Sequence, residues 1–299
     1  MSIVVCKLPK AGLGNQLFPL MKAIVFADLN GLPLIVTHYN RLKIGPYLRR
    51  ERSKRYYKGY FSFQKTMIGE QIDKWKLFRY KNYEQVNEPA VEVINAPASG
   101  NRKYFFTVMP NWVNYFDQLK QNRQLVIELF WKTLSKHVIE KFSRQQKPCI
   151  GVHIRMGDFR KLKEGEDFSK VGAVRTPEKY FIDIIHAIRR IHGTALPVSV
   201  FTDGYKHEFS ELFKIDNIHI VDGNADIVDM LLLSKSSIII TSAGSTFSYW
   251  AGFLSSAPLI MHPDHIHQPI RPDSVAATIY EGPFTESSTL LVENIKAIQ

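Results

Sequence analysis

Cysteine is nearly absent from this chain of 299 residues: there are two, Cys6 and Cys149, each inside an apolar run. That number, with no CxxC pair, excludes a disulfide framework and a dithiol redox centre, and both thiols read as small buried hydrophobes. Long apolar runs are missing too, so no segment approaches the roughly 20 residues of a membrane span. The run Ile3 to Cys6 is too short for a signal peptide and reads as a first strand, so the expected compartment is a reducing cytosol. Acids are the third deficit. There are 28 Asp and Glu against 39 Lys and Arg, a net charge of +11. A field of that sign attracts polyanions, anionic membrane surfaces or phosphorylated small molecules, without choosing among them. No internal repeat or low-complexity tract interrupts the chain, whose length suits one large or two medium domains.

What is present is an alternation of strands and helices. Strand Ile3 to Cys6 runs into Gly12-Leu13-Gly14-Asn15, a helix from Gln16 to Leu29 and a second strand at Pro33 to Thr37. Two glycines let a ligand or another backbone come close, and the helix N-terminus behind them suits a phosphate. It is not a dinucleotide fingerprint, because Leu17 stands where the third glycine belongs and strand two ends in Thr37-His38-Tyr39 without an acid. Nor is it a Walker loop, since Lys and Ser/Thr are missing. Helices are expected at Gly69 to Tyr80 and Asp117 to Phe142, with a loop through Pro97-Ala98-Ser99-Gly100 before a strand at Tyr104 to Val108. Polar, helix-breaking Ser143 to Pro148 is the expected boundary, giving domains 1–145 and 146–299.

Between Arg41 and Lys58 eight basic residues face one acid, Glu51, interleaved with Tyr47, Tyr56 and Tyr57. Basic plus aromatic suits a single-stranded nucleic acid, and clustered Lys/Arg suits anionic lipid headgroups. No RNA-binding module motif accompanies the run, which favours a solvated face, and no nucleic-acid partner is expected.

The second half is regular. Strand Cys149 to Ile154 precedes a helix from Pro177 to Ile191, with Thr176 as N-cap. Strand Val198 to Thr202, a short helix Lys206 to Phe213, strand Ile218 to Val221 and helix Ala225 to Ser234 follow. Strand Ile238 to Thr241, helix Thr246 to Leu254, strand Leu259 to Met261 and a helix near Leu290 to Ile298 complete it. The fold class is α/β, with two parallel-sheet domains facing a cleft. Ligands bind beyond the carboxyl ends of parallel strands. There stand His153, Arg155 and Asp158, then Thr202-Asp203, then Thr241 to Thr246 running into a helix N-terminus. Small hydroxyl residues at such an N-terminus cradle phosphate, and a forked Arg matches its oxygens. A plain N-cap and an Arg155–Asp158 ion pair are the bland alternatives. The cluster His262-Pro-Asp264-His265-Ile-His267 lacks a metal-site spacing such as HExxH, Ser245 lies outside a G-x-S-x-G elbow, and Asp203-Gly-Tyr205 is no D-x-D pair. No metal is expected.

Three ordered segments carry a family resemblance: Gly12-Leu-Gly-Asn-Gln-Leu-Phe18, His153-Ile-Arg-Met-Gly-Asp158, and Ser245-Thr-Phe-Ser-Tyr-Trp-Ala-Gly-Phe-Leu254. They resemble GLGNQLFQY, H-x-R-R-G-D-Y and N-S-S-F-S-W-W-G-A-W-L of the α-1,2-fucosyltransferases of glycosyltransferase family 11. Gly59-Tyr-Phe-Ser62, Phe201-Thr-Asp203 and Asp226-Ile-Val-Asp229-Met-Leu-Leu-Leu-Ser234 are lesser matches. The resemblance implies a GT-B arrangement of two Rossmann-like domains, with 1–145 on the acceptor side and 146–299 holding the donor. It implies GDP-fucose as donor, inversion, no metal, and transfer to the 2-hydroxyl of a galactoside-type glycan. By the same resemblance Arg155 binds the β-phosphate and meets the leaving diphosphate, and His153 holds ribose or phosphate. Asp203 joins the donor site, Asp229 accepts hydrogen bonds from guanine, and Ser245, Thr246 and Phe247 cradle phosphates and base. Gly14 and Asn15 lie near fucose and acceptor. Asp158 is the first choice for general base, with Glu164, Glu166 and Asp167 in the following loop; its other role is to orient Arg155. Met156 replaces the motif's second Arg, so a cation near the diphosphate or sugar is missing and a different donor sugar or linkage is the alternative. Ala243-Gly244 replaces N-S, and Pro19-Leu20 replaces Q-Y. The net charge and the Arg41 to Lys58 run suggest a lipid-linked acceptor of surface polysaccharide, such as O-antigen, with peripheral contact at the inner face of an anionic membrane. A non-catalytic protein binding nucleic acid or an anionic surface is the reading from another class.

Overall fold

The computed structural model describes residues 1–41, 44–48, 51–52, 54–92, 100–110, 114–265 and 268–299. Contacts divide the chain into two compact units, Met1–Leu42 with Tyr56–Glu140, and Lys43–Arg55 with Lys141–Gln299. Residues 43–55 thus cluster with the second unit although they lie on the N-terminal side of the 145/146 boundary. The loop expected over Pro97 to Ser99 lies outside the described residues.

The first unit is built on β1 (Ile3–Lys7), α1 (Leu13–Leu29), β2 (Leu34–Thr37), then, beyond the short α2 (Gly45–Leu48) of the other unit, α3 (Met67–Lys76), β3 (Glu84–Asn87), β4 (Arg102–Phe106) and α4 (Arg123–Thr133). Its sheet runs β2-β1-β4-β3, every pair parallel. α1 is apolar almost all round, and it is buried along nearly its whole length. The one cation among its buried side chains, Lys22, is matched by Glu88 at 2.6 Å. Strand order reverses between β1 and β4, so the glycine turn that enters α1 lies at the carboxyl end of that crevice, where parallel sheets bind ligands.

β3 was not expected. Glu84-Gln85-Val86-Asn87 is a mostly exposed edge strand and buries too little to carry an apolar signal. The single helix expected over Asp117 to Phe142 is interrupted. A 3₁₀ turn at Lys120–Asn122 leads into α4, and α5 (Lys136–Ser143) is separate. At the break the amides of Ser62 and Ser135 donate to Thr133 and Tyr60 carbonyls, at 2.8 and 3.0 Å, and Leu134 turns extended. Backbone bonds from a distant segment outcompete one more helical turn there.

The second unit continues through β5 (Ile150–Ile154), α6 (Glu178–His192), β6 (Val198–Thr202), β7 (Ile218–Ile220) and α7 (Asp226–Ser234). β8 (Ile238–Ile240), α8 (Thr246–Leu254), β9 (Leu259–Met261), the short α9 (Asp273–Ala276), β10 (Glu281–Pro283) and α10 (Thr289–Lys296) complete it. The sheet order is β10-β9-β8-β5-β6-β7, all parallel. β10 also escaped the sequence reading, being a short edge strand of Glu, Gly and Pro. The helix expected over Lys206 to Phe213 is two 3₁₀ turns. α6 is capped by Pro177 rather than Thr176. Thr176 points elsewhere, its hydroxyl accepting from the Ala243 amide at 3.0 Å.

The chain winds outward from β5 in one direction, then crosses back to β8 and winds in the other. β5, buried at every residue, therefore lies at the sheet's topological switch point. Gly151 is required there, because a Cβ would overlap the Ser236 side chain. At the far side Arg271 is fully buried and donates twice to the Gly252 carbonyl in the last turn of α8, at 3.0 and 2.7 Å, with Glu281 3.8 Å away.

Removing a buried cation leaves its carboxylate uncompensated, and carbonyls at a helix C-terminus lose their donor. Arg271→Met is expected to cost ~3–5 kcal/mol in denaturant unfolding. A loss below about 1 kcal/mol would show that the pair contributes little.

Candidate active site

Parallel pairing of β5 with β6 and β8 brings three strand ends to one edge. Ser242, just past β8, ties two of them together: its hydroxyl donates to the His153 carbonyl at 2.9 Å and accepts from the Arg155 amide at 2.8 Å. The Arg155 guanidinium then sits between two carboxylates, Asp158 at 2.5 Å and Asp203 from the end of β6. The second Asp203 oxygen accepts the amides of Met156 and Gly157 at 2.7 and 3.2 Å. Position 157 must be glycine, because a Cβ would overlap the Asp203 carboxylate and crowd Arg55. Asp203, expected among the donor-binding residues, has both oxygens engaged inside this clamp, where it fixes Arg155.

A second guanidinium reaches the same carboxylate. Arg55 lies 3.0 Å from Asp158 and 2.7 Å from buried Glu51. Arg52 donates to the carbonyls of Thr202 and Gly204, each at 3.3 Å, and pairs with Asp222. The sequence pattern favours a solvated basic face here; Arg52 and Arg55 are instead engaged within the second unit. Arg49 and Arg50 lie outside the described residues. No spacing in the sequence links residue 55 to residue 158, so this part of the site was not visible there. Met156, at the motif position of the second Arg, has its side chain in the core, packed below Gly204.

Burial pushes the Asp158 carboxyl upward, but the Arg155 and Arg55 guanidiniums prevail and hold it at about 2. Glu166 accepts from both Arg160 nitrogens and the Lys163 amide, and Asp167 pairs with Lys170 at 3.1 Å. His153 is buried and stacked on Phe247, centroids 4.8 Å apart. Burial, with Arg155 adding to it against Asp203, lowers its pKa to about 3 and keeps it neutral. Its Nδ1 has no hydrogen-bond partner among the described residues. Such an orphan is uncommon in a folded protein and marks a place for a ligand or water.

Phe247 belongs to the first turn of α8, which enters directly from β8. Ser245 is the N-cap residue, but its side chain makes no capping bond, and Thr246 and Phe247 are half-buried. The helix entrance therefore keeps backbone N–H groups that an anion can take. Gly244, at φ 68°, supplies the left-handed turn that brings the chain into the helix. Asp229, in the first turn of α7, accepts from the Asn224 amide at 3.1 Å. Burial pushes it up to about 7, with Asp226 and Asp222 adding to the effect while Asn224 and Arg52 oppose it. Gly14 and Asn15 stand in the first turn of α1, in the first unit.

His267 lies outside the described residues, and among the described residues no group of three His, Cys, Asp or Glu is placed to hold a metal ion. Both cysteines are free, and burial raises the pKa of each thiol.

A carboxyl whose folded pKa is raised costs stability as pH climbs from its unfolded value through the folded one. Asp229→Asn removes that cost without changing shape. The variant is expected to gain roughly 1–3 kcal/mol at pH 8 and less at pH 5. Denaturant unfolding at the two pH values checks this; an equal gain at both would place the raised pKa elsewhere.

No curated protein matches the chain. Among solved structures, fucosyltransferase NodZ from Bradyrhizobium is 14% identical and matches 90% of this chain and 100% of its own, at a TM-score of 0.50. A NodZ α-1,6-fucosyltransferase co-crystallised with GDP is 14% identical, over 87% of this chain and 95% of that one, also at 0.50. POFUT1 in complex with GDP is 13% identical over 91% and 96%, at 0.49. Such likeness, through the two NodZ structures, shows the fold, two Rossmann-like α/β regions of the GT-B class. The model of glycosyl transferase family 11 matches residues 7–261. With a match over most of its length, the chain belongs to glycosyl transferase family 11.

Proposed function

We propose that the chain transfers L-fucose from GDP-fucose to the 2-hydroxyl of a galactoside-type glycan, with inversion. The observation that carries this reading is Arg155, held by two carboxylates at the switch point beside the open entrance of α8. In the reaction an acceptor hydroxyl oxygen bonds to fucose C1 while the C1–oxygen bond to the β-phosphate breaks. GDP leaves with the electron pair, and the hydroxyl proton passes to a base or water. Arg155 and the first amides of α8 meet the charge that develops on the diphosphate, and fixed donors of this kind lower the barrier without reorganising. No metal is needed in this scheme, because guanidinium and helix N–H groups supply the positive potential.

His153, neutral and stacked on Phe247, suits a hydrogen bond to ribose or phosphate. Asp229, poised at about 7, suits the paired N–H donors of guanine. Gly14 and Asn15 keep the role of contacting the sugar. Asp158 orients Arg155, since a carboxylate at about 2 between two guanidiniums is a weak proton acceptor near neutral pH. The alternative is a different donor sugar or linkage, because Met156 puts no cation where the motif has its second Arg. A lipid-linked acceptor remains part of the proposal; contact of the Arg41 to Lys58 run with a membrane is weakened by the engagement of Arg52 and Arg55.

A thermal-shift panel of GDP, UDP, ADP, NADH and GDP-fucose tests the donor. GDP and GDP-fucose are expected to stabilise above the rest. Their affinity should fall as pH drops below about 7, up to ~tenfold per unit, because protonated Asp229 no longer accepts from guanine. GDP no better than UDP would remove the guanine role of Asp229. Arg155→Ala is expected to lower turnover roughly 10²–10³-fold or more with the fold intact, with EDTA without effect on the wild type. Full turnover by that variant would take Arg155 out of the mechanism.

A further inference from the structure

Helix α3 turns its acids inward and its large apolar side chains outward, the reverse of an ordinary surface helix. Ile68, Ile72 and Trp75 recur at helical spacing, and Phe78 continues the stripe in the following 3₁₀ turn, Leu77–Tyr80. These four side chains are 75%, 50%, 70% and 68% exposed. They line a groove of about 450 Å³ with Gln71 and Lys74. Isolated exposed apolar residues are normal, but a contiguous stripe that includes Trp and Phe marks an interaction site.

The inward acids fix this orientation. Glu70 is 2% exposed, and its carboxylate accepts the amides of His38 and Asn40, at 2.5 and 3.0 Å, just past β2. Asp73 is also buried and pairs with Lys65 and Lys76, at 2.6 and 3.3 Å. The helix cannot roll its stripe inward without losing these bonds. Lys74 lines the groove and pairs with Glu70 at 3.0 Å, Lys65 and Lys76 pair with Asp73, and Arg79 and Lys81 follow directly along the chain, five cations against two carboxylates. Arg79 and Lys81 are exposed.

We propose that the α3 face is an interfacial docking element for an anionic lipid surface, its Ile/Trp/Phe stripe entering the headgroup boundary while the basic rim meets the phosphates. Amphipathic helices with aromatic and aliphatic residues on one face and Lys/Arg beside it lie in that plane. A second copy of the chain fits less well, because a two-fold contact sets identical basic rims against each other. The inference rests on α3 alone and is independent of the donor.

Flotation of the full chain with phosphatidylcholine vesicles, with and without about 30% phosphatidylglycerol, tests it. Binding is expected only with the anionic lipid and should weaken with salt. Arg79→Gln with Lys81→Gln is expected to weaken it roughly 25-fold, about fivefold per charge. Trp75→Ser with Phe78→Ser is expected to weaken it roughly tenfold or more. Brominated lipid should quench the wild-type fluorescence, and Trp75→Phe should remove that quenching. The proposal fails if the wild type does not float with anionic vesicles, or if quenching persists in Trp75→Phe. It fails equally if sedimentation shows a dimer that the Trp75/Phe78 variant dissociates, which would make the occupant a second copy. The GDP-induced thermal shift is expected to be unchanged in every variant, so failure here leaves the donor reading intact.

Discussion

A guanidinium brought to the end of a buried strand needs carboxylates to balance it, and the second unit is arranged around meeting that need for Arg155. Asp158 supplies one from the same turn and Asp203 the other from β6. The demand propagates outward. Asp203 reaches Arg155 only if residue 157 has no side chain, and its second oxygen then gathers the turn's amides. Residue 156 is thereby directed into the core below Gly204, and Ser242 locks the end of β8 to the same strand. Arg55 completes the cluster from a segment a hundred residues earlier in the chain.

The ionisable groups around this clamp are driven apart by their surroundings. Asp158 is held low by cations, His153 is kept neutral by burial, and Asp229 is raised by burial. Environments that separate pKa values this way are where chemistry and recognition concentrate. The same groups are poor choices for stability. An orphan imidazole nitrogen and a carboxyl with one amide partner would be replaced in a fold selected for stability alone.

The two basic regions of the chain illustrate how charge is redistributed by folding. Arg52 and Arg55 sit in the more basic run of sequence and are engaged by Asp222, Glu51 and Asp158. α3 looks balanced in sequence, yet its acids are drawn to the amides past β2 and to neighbouring lysines, leaving apolar groups and cations outside. Net charge sets the sign of the field, whereas burial of individual carboxylates decides where it emerges.

The two parallel-sheet α/β halves are legible in the sequence, because strands buried on both faces must be short apolar runs and the helices between them must show a 3.6-residue period. Arg155, Asp158, His153 and Ser245 to Phe247 stand out there as candidates, since these lie within a few residues of strand ends. Edge strands β3 and β10 bury too little to leave a pattern, and the break at Leu134 depends on amides from Ser62 and Ser135. That Asp203 clamps Arg155, that Met156 is core, that Arg55 meets Asp158 and that α3 exposes its apolar face is visible in three dimensions alone. Each of those outcomes depends on which distant groups compete for one side chain, and that competition is set by packing in space rather than by order along the chain.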